Sequence, residues 1–238
     1  MKQAPYGSWE SPITSDLIVS GTVGLQEIFC DGADTYWIES RPTEGGRSVL
    51  VRRDQNGQTT DVTPSSFNVR MRVHEYGGGA YTAVDQVAYC SNFSDNRVYR
   101  HKEGEAPIAI TSDSELRYAD FEFDRRRNRL ICVQEDHRGA GEAVNSLVSL
   151  AVDGQREPTV LTVGNDFYSS PCLSPSGEQL AWLTWKSASS AQTLVSATIR
   201  ATHSCSVARL GSDRTRAPHI GRLSDGIRKN TGRPCSAA

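Results

Sequence analysis

Two stretches of this 238-residue sequence hold side chains of the kinds that do chemistry. The first is Val73-His74-Glu75-Tyr76-Gly77-Gly78-Gly79-Ala80-Tyr81, an imidazole, a carboxylate and a phenol followed by three glycines. A triple glycine lets a backbone come close to a ligand or a central channel. It equally permits a tight bend where crowding leaves no room for side chains, and the bend is the favoured reading. His74 and Glu75 are expected to pair with each other or with an arginine from a neighbouring unit. A metal site would need a third His, Cys or carboxylate ligand, and none lies nearby in sequence.

The second stretch is Glu135-Asp136-His137-Arg138, with Glu142 four residues beyond. It follows a strongly apolar run and reads first as a solvated polar loop. Asp136 and His137 do not form a piece of a catalytic triad, because neighbours on a strand point to opposite faces. Arg125-Arg126-Arg127 falls at an expected hairpin turn, where a charge run is solvated. The six cysteines, Cys30, Cys90, Cys132, Cys172, Cys205 and Cys235, show no C-x-x-C spacing, which argues against zinc or a redox pair. Cys90 and Cys132 lie in apolar runs and read as small buried hydrophobes in a reducing compartment. No cofactor is indicated.

The elements that must position these residues are strands. Helical periodicity is nearly absent, and the clearest strand runs are Thr35–Glu39, Val49–Arg53, Val87–Ser91, Arg97–Arg100, Arg129–Gln134, Leu147–Val152 and Gln179–Thr184. Turn signals separate them: Asp31-Gly32, Asn56-Gly57, Asp153-Gly154 and Pro175-Ser176-Gly177. A turn followed by an apolar-aromatic strand recurs at Asp34–Ile38, Asp85–Cys90, Asn128–Val133 and Glu178–Leu183. In the first three units a second strand follows, then a short β-rich run (Gly57–Pro64, Ala106–Thr111, Glu157–Thr162). The spacing is near the ~40–50 residues of a four-stranded propeller blade. The fold expected is all-β, a partial β-propeller of about three to four blades of antiparallel strands. Three blades and the start of a fourth fit before residue 185, fewer than a closed ring is expected to need, so open sheet edges and self-association are expected.

Hydrophobic residues make up 37% and charged residues 23%, the balance of an ordinary globular chain. There is no apolar run of about 18 residues and no apolar core in the first residues, so a membrane span and a secretory leader are not expected and a cytoplasmic location follows. The net charge of −2 hides a break. Residues 1–185 hold 17 Lys+Arg and 26 Asp+Glu, a net of −9, while residues 186–238 hold 9 and 2, a net of +7. The latter segment has no aromatic residue and no Glu. Its arginines are dispersed, with no stacking side chains between them, so nucleic-acid binding is not expected and a disordered basic tail is. Three segments are therefore expected: an N-terminal extension (1–20), an incomplete propeller (21–185) and a low-order tail (186–238).

The His74–Tyr81 motif resembles a signature of the N-terminal propeller of bacterial prolyl-oligopeptidase (S9) family serine peptidases, in the acylaminoacyl- and dipeptidyl-peptidase-like branch. Tyr6–Thr14, Leu116-Arg117-Tyr118-Ala119-Asp120, Asn165–Pro171 and Leu173–Gly177 resemble other parts of the same proteins. The last is also similar to a TolB-type propeller turn, with Ser176 where Asp is usual. The resemblance runs from about Ala4 to Trp185. It implies a propeller that filters peptide substrates by size, followed by an α/β-hydrolase domain with a Ser-Asp-His triad on a G-x-S-x-G elbow. This sequence contains no G-x-S-x-G, so no residue inherits a catalytic role; the alternative reading is a stand-alone small propeller that binds a peptide or protein partner. The resemblance also implies propeller carboxylates that hold a substrate's free amino terminus. Glu135, Asp136 and Glu142 are the candidates, and His74, Glu75 and Tyr76 are further substrate-binding candidates. Residues 186–238 are expected to come from a frameshift or a broken gene end.

Overall fold

The computed structural model describes residues 5, 7, 8, 12–19, 21–75, 77–186, 193–199 and 205–209. Apart from a five-residue helix, α1 (Ser15–Val19), and one 3-10 turn (Pro42–Glu44), the described elements are strands. They form four antiparallel sheets of four strands each, in strict chain order. The first holds β1 (Gly24–Asp31), β2 (Asp34–Arg41), β3 (Arg47–Arg53) and β4 (Thr59–Asp61). The second holds β5 (Tyr81–Val84), β6 (Val87–Ser91), β7 (Val98–Lys102) and β8 (Ile108–Ala109). The third holds β9 (Leu116–Asp124), β10 (Arg129–Asp136), β11 (Val144–Ala151) and β12 (Thr159–Val163). The fourth holds β13 (Phe167–Leu173), β14 (Gln179–Trp185), β15 (Thr193–Ile199) and β16 (Cys205–Arg209). Each is a four-stranded meander, the form of a propeller blade. The first strands of neighbouring blades pack in the order β1, β5, β9, β13, and no comparable packing returns from β13 to β1. Among the described residues the ring is an open arc.

The blades stack through apolar faces, and this explains why the middle strands read as apolar runs rather than alternations. On β10, Leu130 and Cys132 pack with Tyr89, Val98 and Val148, while Ile131 and Val133 join Leu147, Tyr168 and Trp182 in a second cluster. Both faces of the strand are buried at Leu130–Val133, so these four successive positions are all apolar. Short turns set the registers. Asp85 and Gln86, both left-handed (φ 50° and 64°), close β5 onto β6 as a two-residue hairpin whose twist suits the strands.

The break in composition at Trp185 is not a break in structure. β15 pairs with β14 from Gln179↔Thr198 to Thr184↔Thr193, and β16 pairs with β15. The fourth blade therefore takes its two outer strands from beyond residue 185. An outer strand gains ladder hydrogen bonds from an existing edge and needs only a short run such as Thr193–Ile199, not a core of its own. The rest of the expected tail lies outside the described residues. Among the described residues no helix is long and apolar enough to cross a membrane.

Candidate functional site

The glycine motif precedes β5 and reaches over the ends of the third and fourth blades. Its backbone turns sharply there: His74 and Glu75 are left-handed (φ 55° and 62°), as is Gly77 (φ 98°). The His74 N–H donates to Glu135 Oε1 (3.0 Å), and His74 Nε2 lies 3.1 Å from the carbonyl oxygen of Tyr168 on β13. The ring sits edge-on to Phe167 at 5.1 Å, and Phe167 stacks on Trp185 at 5.3 Å. Through its backbone and its ring, His74 thus ties the glycine segment to the third and fourth blades.

Glu135 is the centre of this cluster. It is 5% exposed at the end of β10; its Oε1 accepts from the His74 backbone, and its Oε2 accepts from Arg117 (3.3 Å) and lies 2.8 Å from His137 Nε2. Burial alone would raise its carboxyl; the contacts with His74 and His137 outweigh this and hold it at about 2. Arg117 also donates to Glu75 (2.8 Å) and to the Arg72 carbonyl (3.2 Å). The expected pairing of Glu75 with an arginine across blades is present, and His74 pairs with Glu135.

The strand alternation divides the remaining candidates. Glu135 and His137 share one side, whereas Asp136 turns away and holds Arg138 in a two-pronged ion pair of 2.9 and 2.6 Å. The Arg138 hydrogen bonds lower the Asp136 carboxyl. Glu142 is exposed in the loop between β10 and β11 and joins none of these contacts. Tyr76 lies outside the described residues. No group of three His, Cys, Asp or Glu side chains among the described residues is arranged to hold a metal ion.

Sequence reasoning missed the carboxylates nearest the axis. Glu27 on β1 and Asp120 on β9 both sit at strand irregularities with left-handed backbones (φ 50° and 57°). The Ala80 N–H donates to Glu27 Oε2 (2.8 Å) and the Gly79 N–H to Asp120 Oδ1 (2.6 Å). A cavity of about 370 Å³ lies between the first two blades, lined by Gln26, Glu27, Ser48, Arg70, Met71 and Gly78 among others. Glu27 is exposed as a residue, yet protein crowds its carboxyl: desolvation raises its pKa, the Ala80 N–H offsets part of that, and the charge on Asp120 adds to it. The signal for Asp120 was present in the Leu116–Asp120 segment. Glu27 had none.

No protein-family model matches the chain, and no curated protein matches it. Solved structures do. A puromycin-hydrolysing peptidase from Mycobacterium tuberculosis is 28% identical with a TM-score of 0.76, over 89% of this chain and 34% of the peptidase. A puromycin hydrolase is 27% identical with a TM-score of 0.78, over 89% of this chain and 36% of that protein. The S9 peptidase resemblance holds. A TolB-type protein from Agrobacterium tumefaciens matches at 13% identity and a TM-score of 0.52, over 76% of this chain and 61% of that protein, which supports the propeller fold alone. The chain spans about a third of the length of the S9-type peptidases it matches.

Proposed function

We propose that this chain forms part of the substrate-gating propeller of an S9-type peptide hydrolase and is catalytically silent by itself. The observation that carries the reading is the match to S9-type peptidases over nearly all of this chain but about a third of theirs, in a sequence with no G-x-S-x-G. The piece contributes walls and a channel, and the bond-breaking groups belong elsewhere. Its ligand in the intact assembly is a peptide or aminoacyl compound rather than a nucleic acid or a membrane. Within that reading Glu135 fastens the glycine loop, because its oxygens are taken by protein partners. Glu142, exposed beyond β10, keeps a carboxylate open to an incoming ammonium group.

Purified chain incubated with aminoacyl and peptidyl chromogenic substrates tests this. The reading predicts no turnover above buffer. Turnover blocked by a serine-directed phosphonate would overturn it.

A further inference from the structure

We infer that Asp120 is an axial latch, a positioning residue that sets the spacing of three blades, and that Gly78 serves to admit it. Asp120 lies on β9, the innermost strand of the third blade. One carboxylate oxygen accepts the N–H of Gly79 from the second blade at 2.6 Å, and the other accepts the N–H of Ser170 from the fourth at 2.8 Å. The Asp120 N–H returns a bond to the Gly79 carbonyl at 2.8 Å. A single side chain therefore bridges its two neighbours where no ladder hydrogen bond can, since each blade's strands pair only among themselves.

The local backbone is arranged around this contact. Asp120 and Ser170 each occupy an irregularity in their strand with a left-handed conformation (φ 57° and 52°) that non-glycine residues seldom adopt. Such conformations persist where surrounding contacts over-determine them. On the second blade the approach is closest. A Cβ on Gly78 would stand 2.7 Å from Asp120 Oδ1, and one on Gly79 would stand 3.4 Å from the same atom. The middle of the triple glycine is thus small because a carboxylate of the next blade occupies the space a side chain would need. Gly77 answers a different demand, its left-handed φ of 98°. Two further carboxylates make contacts of this type: Glu27 with the Ala80 N–H, and Glu122 with the Leu173 N–H at 3.1 Å. Asp120 contacts two blades at once, and hydrogen bonds to a charged acceptor are stronger than neutral ones.

Amide hydrogen exchange on the full chain, read residue by residue by NMR, tests the latch. In Asp120→Ala the Gly79 and Ser170 amides should both lose protection by about tenfold or more, while Leu173 changes little. Glu122→Ala should give the reverse pattern, exposing Leu173 alone. Gly78→Ala keeps the carboxylate but displaces it, and should expose Gly79. If Asp120→Ala does not fold, Asp120→Asn decides: its single amide oxygen can accept from only one neighbour, so one of the two amides should exchange faster and the other keep its protection. Unchanged protection at both amides, or a rise shared equally by core amides in all four blades, overturns the inference.

Discussion

At the scale of single residues, two buried titratable groups give the molecule a pH signature with two separate windows. His101 is 3% exposed, set edge-on to Phe67 at 4.8 Å, and desolvation pushes its pKa down to about 4. An imidazole in an unfolded chain titrates near ~6.5. The unfolded state therefore gains a proton first, so the folded state is fully favoured above pH ~6.5 and loses ground as pH falls towards 4. The span between the two values corresponds to a loss on the order of 3 kcal/mol once pH is below 4. Glu135, held at about 2 by His74 and His137, works in a lower window. Its contribution is present above the ordinary carboxylate range near 4.5 and fades as pH falls through about 2. Urea midpoints measured from pH 8 to pH 2 should show both declines. His101→Gln should flatten the upper one. Glu135→Gln should lower stability at pH 7 by about 1–3 kcal/mol and flatten the lower one.

At the scale of elements, the middle strands were legible and the innermost ones were not. Thr35–Glu39, Val87–Ser91 and Gln179–Thr184 fall inside β2, β6 and β14 because these strands are continuous, apolar and bounded by tight turns. β1, β9 and β13 escaped notice because each is irregular, at Gln26/Phe29, opposite Ile131/Val133 and at Ser169/Cys172, and an extra residue breaks the two-residue period on which strand recognition depends. β9 also carries Arg117, Asp120, Glu122 and Asp124, a charge content that argues against a strand unless the partners across blades are known. β15 and β16 were obscured by composition, since a basic, aromatic-free segment reads as unstructured until the edge it pairs with is seen. Part of the candidate site was legible for a similar reason. The His74–Glu135 contact joins positions 61 residues apart, and only the residue types, not their meeting, could be read in sequence. The energetic weight of the middle strands is testable at Leu130, which is fully buried. Leu130→Ala should destabilise the chain by about 2–5 kcal/mol, read from denaturant midpoints at constant slope.

At the scale of the whole molecule, four blades joined through β1, β5, β9 and β13 leave two flanks that no described blade covers. Apolar side chains stand out on the first blade: Leu25 is 64% exposed and Ile28 72%, both on β1. Surface of this kind favours association when a sheet has no neighbour to cover it. Light scattering coupled to size-exclusion chromatography, run across a concentration series, puts the open arc to its most direct test. The arc predicts a mass that rises with concentration and falls back towards a single chain in a Leu25→Lys, Ile28→Lys variant. A wild-type chain that stays monomeric at every concentration and melts in one sharp transition would contradict it, and would instead describe a self-sufficient binding module.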